Sequence, residues 1–220
     1  LVIDSDPQGN ATMTSVMNKG TLEKTIYNIL IEDMPAREAV VTETNGGYHL
    51  IPANEDLTAA ETQLMDCLAR EFRLKNALKE LHQDYDFVFI DCPPALNMLT
   101  VNAMCAAQSI LVPMQCEFFA LEGLTQLLET VEQLEQAVNP GLKLEGILRT
   151  MFDSRNRLSA EVSSDLLENF NTLVYQTIIP RNVKLAEAPS YSRPVMFYDR
   201  SSAGTKAYLS LAAEFLEKNS

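Results

Sequence analysis

Short runs of apolar residues alternate along the chain with longer segments in which apolar residues recur at helical spacing. Runs of the first kind predict buried strands, and segments of the second kind predict helices with one apolar face. The predicted strands cover residues 1–3, 87–90, 109–112, 144–151 and 174–179. The predicted helices cover residues 21–31, 57–68, 72–81, 97–106, 121–138, 160–170 and 203–216. This alternation predicts an α/β fold with a doubly wound, mostly parallel sheet and helices on both faces.

Residues with special backbone or capping chemistry set the expected boundaries of these elements. Residues 5–20 are rich in Gly, Asn, Thr and Ser, which predicts a loop. Thr21 is the expected N-cap of the helix that follows. The tripeptide Asn45-Gly46-Gly47 separates two short apolar stretches and predicts a turn between strands. Pro113 and Pro180 are expected to end the strands that precede them.

Length and composition are those of an ordinary globular protein. Hydrophobic residues make up 46% of the 220 residues and charged residues 21%, which predicts a single domain spanning residues 1–220. No apolar run approaches the roughly 18 residues that cross a membrane, and the first residues lack the basic segment of a secretory signal. A cytoplasmic location is therefore expected.

The net charge of −13 argues against a nucleic-acid partner until its distribution is considered. Residues 143–206 hold nine of the 17 Lys and Arg residues but seven of the 30 Asp and Glu residues. This segment could form a local basic surface, although from charge alone the simpler interpretation is a set of solvated charges without a ligand. Its basic residues near predicted strand ends are Arg149, Arg155, Arg157, Arg181, Lys184 and Arg193.

The four cysteines, at positions 67, 92, 105 and 116, form no C-x-x-C pair. Only two histidines, His49 and His82, could join them in a metal site, and these lie far apart in sequence. A zinc site is therefore not expected, and a hydrolase that relies on a histidine base is poorly supported. The cysteines are interpreted as reduced thiols that pack as small apolar groups.

Two predicted strands each end in an aspartate that is followed closely by proline. Asp4 and Asp6 follow residues 1–3, and Asp91 follows residues 87–90. Ligands of doubly wound sheets bind at the carboxyl ends of the strands, and carboxylate oxygens are preferred ligands of Mg²⁺. Either motif alone could equally be a carboxylate that caps a loop. Together they predict a site for phosphate chemistry with Mg²⁺.

Four segments resemble the ParA/Soj family of chromosome and plasmid partitioning ATPases, which are related to MinD. Residues 4–12 read DSDPQGNAT, like the D-x-D-P-Q-G-N-A-T segment of the family. Residues 89–94, FIDCPP, resemble its Walker B and switch II segment. Residues 177–183, TIIPRNV, resemble its adenine-binding strand end, and residues 185–190, LAEAPS, resemble the loop that follows. The resemblance covers the whole chain in the right order and implies a P-loop NTPase-like fold.

The resemblance also implies roles for individual residues in binding ATP and Mg²⁺. Asp6 would orient and activate the water that attacks the terminal phosphate. Asp91 would hold Mg²⁺ through water, and Asp4 would support the same metal region. Pro180 and Asn182 would contact the adenine, since an asparagine amide can both donate and accept hydrogen bonds.

DNA is the macromolecular ligand that the resemblance implies. Arg155 and Lys184 match the family positions that contribute to nonspecific binding of double-stranded DNA. Contacts of this kind neutralise phosphates, so they do not depend on sequence and weaken strongly with salt.

One element of the family is not found in this sequence. ParA/Soj proteins open with a strand and a phosphate loop of the form K-G-G-x-G-K-[ST]-[ST], and the sequence contains no such motif. The resemblance therefore predicts a missing first strand-loop-helix unit of about 30 residues before Leu1. ATP binding by residues 1–220 alone is not expected, because the backbone N–H groups and lysines that hold phosphates are lacking. Without the strand of that unit, the sheet is expected to have an unpaired apolar edge.

The leading hypothesis is a partitioning ATPase that binds DNA nonspecifically as an ATP-dependent homodimer and works with a ParB-type partner. It would be cytoplasmic and associated with the nucleoid, without stable membrane association. One alternative is a truncated, non-hydrolysing fragment or paralogue that acts only as a binding module. A less favoured alternative is a MinD-like ATPase that cycles on membranes. That function calls for a basic amphipathic tail, whereas residues 212–218 contain one lysine and two glutamates.

Overall fold

Two parallel three-stranded sheets organise the chain, one in each of two compact units. A computed structural model describes residues 1–16 and 22–220. Unit 1 comprises Leu1–Ala107 and Pro189–Pro194, and unit 2 comprises Gln108–Ala188 and Val195–Ser220. The predicted α/β fold with parallel sheets is confirmed.

Unit 1 is built on three short strands. β1 (Val2–Asp4) lies between β2 (Leu50–Ile51) and β3 (Phe89–Asp91), and the parallel register places Asp4 beside Asp91. The α-helices of this unit, in chain order, are α1 (Asn10–Ser15), α2 (Ile26–Ile31), α3 (Leu57–Leu64), α4 (Arg73–Leu78) and α5 (Met98–Ala106).

The core of unit 1 forms where helices cover the middle strand. Ile3 of β1, Ile26 and Leu30 of α2, and Leu57 of α3 are all fully buried in one cluster. Ile26 and Leu30 are four residues apart, so a helix presents both on the same face. Burying each such side chain stabilises the folded state by about 1.5–3 kcal/mol relative to leaving it exposed. This burial holds β1 in place.

Unit 2 is built on three longer strands with helices on both faces. β4 (Ser109–Gln115), β5 (Lys143–Phe152) and β6 (Val174–Pro180) pair in that order, all parallel. The α-helices of this unit are α6 (Ala120–Ala137), α7 (Arg157–Phe170), α8 (Val183–Glu187), α9 (Val195–Tyr198) and α10 (Ala203–Lys218).

Alternate side chains along β5 and β6 supply the two cores of unit 2. Ile147 and Val174 pack in one cluster with residues of α6 and α7. Leu148 and Tyr175 pack in another cluster with residues of α8 and α10. Successive residues of a strand point to opposite faces, so a nearly continuous apolar run serves both sides.

Two boundaries near the N-terminus differ from the prediction. Residues 5–20, predicted as a loop, contain α1, because Gly9 adopts a left-handed conformation with φ of 61° directly before the helix. Helix α2 begins at Ile26 because the Thr25 side chain caps it. Thr21, the predicted cap, lies outside the described residues.

Two strands also differ from the prediction. β4 continues through Pro113, since β4 is an edge strand in which a proline need not donate to a neighbour. Residues 87–90 were predicted as a buried strand, but Phe87, Val88 and Phe89 are 37%, 42% and 49% exposed. β3 lies at an edge of its sheet. The apolar edge expected from the sequence is therefore present in unit 1.

The predicted turn at residues 45–47 joins segments that pair. Val41 and Leu50 form an antiparallel bridge across it, and Gly47 has a positive φ of 73°. Among the described residues, no helix is both long and apolar enough to cross a lipid bilayer.

Helix α10 covers β6 through a carboxylate as well as through apolar contacts. Glu214 accepts hydrogen bonds from the Gln176 and Thr177 backbone N–H groups, at 2.7 and 2.9 Å. Burial alone would raise the pKa of Glu214, but these hydrogen bonds outweigh it and leave the pKa lowered. β6 is the edge strand of its sheet. The carboxylate therefore satisfies donors that could otherwise pair with another chain.

We expect Glu214→Gln to loosen α10 from β6. Hydrogen bonds to a charged acceptor are worth about 1.5–3 kcal/mol, so losing part of them should lower Tm by roughly 2–6 °C at pH 7. A lowered folded-state pKa stabilises the fold above the unfolded pKa, and this stabilisation is lost as pH falls through the folded pKa. The variant and the parent should therefore differ most above the unfolded pKa of about 4.3 and converge in Tm as pH falls below the lowered folded pKa.

Thermal unfolding followed by circular dichroism from pH 3 to pH 8 measures this effect. Glu217→Gln is the matched control, because Glu217 lies on the same helix and is exposed. An equal loss in both variants, or a loss that does not change with pH, would contradict the role given to Glu214.

Candidate functional site

The carboxyl ends of β1 and β3 bring three predicted carboxylates of unit 1 together. The register pairs Asp4 with Asp91, and the Ser5 N–H donates to the Asp91 carbonyl at 2.8 Å. Asp6 follows β1 by two residues, and its charge contributes to the pKa of Asp91. The predicted grouping of Asp4, Asp6 and Asp91 is therefore present.

Asp4 is fully buried and holds the loop that joins β1 to α1. Its Oδ2 accepts hydrogen bonds from the Thr12 backbone N–H and from Thr12 Oγ1, both at 2.7 Å. Its Oδ1 accepts from the Asp6 N–H at 3.2 Å. Thr12 Oγ1 in turn accepts from the Ala53 N–H at 2.9 Å. Both carboxylate oxygens are occupied, so Asp4 positions the loop, and its support of a metal stays a prediction.

Asp91 is the carboxylate with the perturbed acidity. Asp91 lies at the exposed edge of its sheet, but partial burial of its carboxylate, followed by the neighbouring charges of Asp4 and Asp6, raises its pKa to about 6. Burial followed by the charges of Asp91 and Asp6 raises the pKa of the adjacent Cys92 to about 12. Cys92 therefore remains a neutral thiol. A cation beside Asp91 would relieve the repulsion among the three carboxylates.

Asp6 is held in a turn and remains partly exposed. Its Oδ1 accepts a hydrogen bond from the Gln8 N–H at 2.9 Å, and its backbone carbonyl accepts from the Gly9 N–H at 2.8 Å. Its Oδ2 accepts no hydrogen bond from the described residues. The geometry leaves one carboxylate oxygen able to bind a water molecule.

The carboxylates of unit 1 suit Mg²⁺ in one specific way. Across residues 1–16 and 22–220, no group of three or more His, Cys, Asp or Glu side chains could hold a metal ion. Mg²⁺ commonly keeps several waters and binds through one or two carboxylates together with substrate phosphates. Asp91 fits that arrangement, because its oxygens are hard ligands and the charges of the described residues that act on it, Asp4 and Asp6, are negative.

Unit 2 contains a polar pocket of about 210 Å³ at the carboxyl ends of its three strands. Its lining residues are Gln115, Cys116, Glu117, Met151, Asp153, Asn156, Ser159 and Arg181. The volume is smaller than the roughly 300–1,000 Å³ of sites that hold drug-sized ligands. It therefore suits a fragment such as a nucleobase.

The two residues predicted to contact adenine lie beside this pocket in sequence. Pro180 ends β6 opposite Phe152, and Arg181, the next residue, lines the pocket. Asn182 caps α8, with its Oδ1 accepting the Lys184 N–H at 3.0 Å. The asparagine thus uses its acceptor on its own backbone, and contact of Pro180 and Asn182 with adenine stays a prediction.

Of the two residues predicted to bind DNA, Arg155 is exposed and Lys184 is half-buried, and both have carboxylate partners. Arg155 donates from Nε and Nη2 to the two oxygens of Asp153, at 2.9 and 2.8 Å. Lys184 Nζ lies 2.8 Å from Glu187 Oε2. Arg149, grouped with these in the sequence, is buried and donates to Ser163 and to the Tyr175 carbonyl. Arg149 is therefore part of the core of unit 2.

The sequence interpretation missed the pocket residues that follow β4 and β5. Gln115 ends β4, Glu117 follows it, and Asp153 follows β5. The rule that parallel strands bind ligands at their carboxyl ends could have identified them, but Pro113 was taken as the end of β4.

Comparisons with known proteins agree with this geometry. A family model described as an AAA domain matches residues 1–144. The chain is 44% identical over 220 residues to the chromosome partitioning protein ParA of Caulobacter vibrioides, covering 99% of this chain and 82% of that protein. It is 44% identical over 214 residues to the sporulation initiation inhibitor protein Soj of Bacillus subtilis, covering 97% and 85%.

A solved structure shares the fold. It is described as cobyrinic acid a,c-diamide synthase from Mycobacterium smegmatis with bound ATP analog and magnesium. The superposition has a TM-score of 0.83 at 38% identity and covers 96% of this chain and 79% of that chain.

We expect Asp91→Asn to stabilise the nucleotide-free protein near neutral pH. The pKa of Asp91 is raised to about 6, so the folded state favours the protonated carboxyl. That stabilisation is complete below the unfolded pKa near 4 and is lost as pH rises through the folded pKa. Removing the charge should raise Tm by roughly 2–4 °C at pH 8, after allowance for solvent screening, and change it little at pH 4.

Differential scanning calorimetry in metal-free buffer tests this prediction. Asp66→Asn, at an exposed position of unit 1, is the control and should change Tm little at either pH. If Asp91→Asn lowers Tm at pH 8, the repulsion among the three carboxylates is not a destabilising interaction.

Proposed function

Because the chain belongs to the ParA/Soj family, we propose that it is an ATPase that drives chromosome or plasmid segregation. The observation that carries the proposal is the pairing of Asp4 with Asp91 at adjacent strand ends, with Asp6 two residues beyond β1, in a chain 44% identical to ParA over nearly its full length. The matched segments are the ones that carry these carboxylates.

The residues of unit 1 fit the chemistry of ATP hydrolysis. Mg²⁺ bound with ATP would neutralise charge that develops on the phosphates. Asp91 would hold a metal-bound water, since its charge has no ion-pair partner among the described residues. Asp6 accepts a hydrogen bond from the attacking water through its Oδ2 while the Gln8 N–H fixes its Oδ1. Asp4 keeps this loop in place through Thr12. Alignment of this kind supplies much of the catalysis of phosphoryl transfer.

The pocket of unit 2 is proposed to receive the adenine of ATP. Its size suits a base, and Arg181 in its lining connects Pro180 to Asn182, the two residues proposed to contact the ring. Asn182 Oδ1 is held by α8, which directs its amide group.

The phosphate cradle is proposed to lie in chain that precedes residue 1. The matched ParA and Soj proteins extend beyond the segment they share with this chain, which covers 82% and 85% of them. The exposed side chains of Phe87, Val88 and Phe89 at the edge of their sheet support an additional strand there. With that unit, residues 1–220 would belong to one deviant-Walker ATPase domain.

The proposal extends to how the ATPase acts on DNA. As an ATP-bound homodimer it binds double-stranded DNA nonspecifically through Arg155 and Lys184, and a ParB-type partner stimulates hydrolysis. The protein is accordingly cytoplasmic and associated with the nucleoid, without stable membrane association. The position of both cations on the segment where the positive charge is concentrated, with Arg155 exposed and the Lys184 side chain partly accessible, supports this assignment.

We expect Asp6→Ala in the intact protein to retain binding of ATP and DNA but to lose turnover. Removing a group that positions the attacking water should reduce the ATPase rate by about 100-fold or more. Phosphate release measures turnover, and calorimetric titration with a non-hydrolysable ATP analogue measures binding. Asp66→Ala is the control, at an exposed aspartate of the same unit. Unchanged turnover in Asp6→Ala would remove the proposed role of Asp6. Absence of turnover in the parent protein would favour a non-hydrolysing binding module.

We expect the double variant Arg155→Glu with Lys184→Glu to bind DNA at least tenfold more weakly, whatever its sequence. Removing two phosphate-neutralising cations should also reduce the slope of log affinity against log salt by about two. Fluorescence anisotropy with unrelated duplexes over a range of salt concentrations measures both quantities. The matched control is Lys24→Glu with Lys79→Glu, which changes the same number of charges in unit 1. Equal affinity in the double variant and the parent at low salt would refute this DNA site.

A further inference from the structure

Unit 2 places three cation–carboxylate pairs on exposed segments near the carboxyl ends of its strands. In each pair the nitrogen and oxygen are 2.8 Å apart, and the partners are close neighbours in sequence. The pairs are Arg155 with Asp153, Arg157 with Glu161, and Lys184 with Glu187. A phosphate that binds any of these cations must compete with a carboxylate of the same chain.

Asp153 differs from the other two carboxylates because it also lines the pocket. It directly follows β5, and Gln115 and Arg181 face the same pocket from the ends of the neighbouring strands. Glu161 and Glu187 are not among the residues that line the pocket. One carboxylate is thus shared by the pocket and by a cation proposed to bind DNA.

Arg155 holds Asp153 through three hydrogen bonds. Asp153 Oδ1 accepts from the Arg155 backbone N–H at 3.0 Å and from its Nε at 2.9 Å, and Oδ2 accepts from Nη2 at 2.8 Å. The Arg155 side chain is nevertheless 87% exposed, so water competes with the pair. Exposed pairs of this kind are weak, and a modest change at the carboxylate is enough to open one.

We propose that Asp153 couples the pocket to DNA binding, because a hydrogen-bond donor bound in the pocket draws the carboxylate away from Arg155. This inference rests on the proposed function, in which the pocket receives a nucleobase and Arg155 binds DNA phosphate. The amino group of adenine is a donor of the required kind. With the pocket empty, Asp153 neutralises Arg155 and repels phosphate.

The decisive variant is Asp153→Asn, which keeps the shape of the side chain and an acceptor for the Arg155 backbone but removes the charge. DNA affinity of the intact protein is measured by fluorescence anisotropy without nucleotide and with saturating Mg²⁺ and a non-hydrolysable ATP analogue. We expect the variant to bind DNA about two- to fivefold more tightly than the parent without nucleotide, as an exposed ion pair implies. The increase in DNA affinity on adding nucleotide should be smaller in the variant by the same factor.

Two further variants separate the coupling from a general charge effect. Glu161→Gln removes the same charge beside Arg157 but does not touch the pocket, so it should leave the gain on adding nucleotide unchanged. In an Arg155→Gln background, Asp153→Asn should no longer alter the nucleotide-free affinity. Arg155→Lys keeps the charge but cannot form the two-pronged pair, so it should mimic Asp153→Asn even if that variant folds poorly.

The outcomes distinguish this inference from the proposed function. If the parent shows no salt-dependent DNA binding with nucleotide, both are wrong. If the parent binds DNA but Asp153→Asn keeps the full gain on adding nucleotide, the coupling through Asp153 is wrong and the proposed function stands. Persistence of the Asp153→Asn effect in the Arg155→Gln background would equally overturn the coupling.

Discussion

The buried carboxylate of Asp4, with its hydrogen bonds, is the interaction on which the proposed catalytic loop of unit 1 depends. A buried charge is costly unless hydrogen bonds compensate it, and Thr12 supplies two, from its backbone N–H and from its hydroxyl. The same hydroxyl accepts the Ala53 N–H, which joins α1 to the segment after β2. Asp6 lies inside the loop that these bonds close. The hydrogen bonds that compensate the buried Asp4 carboxylate therefore also fix the position of Asp6, the proposed hydrolytic residue.

Repulsion between carboxylates sets the chemistry that unit 1 can perform. Asp91 is held beside Asp4 by strand register, and the raised pKa of Asp91 reflects burial and two neighbouring negative charges. An arrangement that costs stability in the folded protein gains from a bound cation. Loss of stability at such a cluster is the expected consequence of placing hard oxygen ligands close together before the metal binds.

Unit 2 meets a different electrostatic constraint. The chain is acidic overall, with a net charge of −13, and two cations of unit 2, Arg155 and Lys184, each have a carboxylate partner. Local pairing of this kind partly neutralises, in the free protein, the cations proposed to bind phosphate. It makes the strength of any phosphate contact depend on what else the partner carboxylate binds. For Asp153, a competing ligand would bind in a defined place, because Asp153 lines the pocket.

Sequence alone determined the fold class, most strand and helix positions, the family and the three carboxylates at strand ends, because apolar periodicity and short motifs are local properties. It did not predict α1, whose start depends on a left-handed Gly9 and on Asp4, eight residues before Thr12. Nor did it separate Arg149, buried against Ser163, from the exposed Arg155. Burial, carboxylate partners and the pocket are set by contacts between segments distant in the chain. For that reason only the tertiary structure decided which charges are available and which are already engaged.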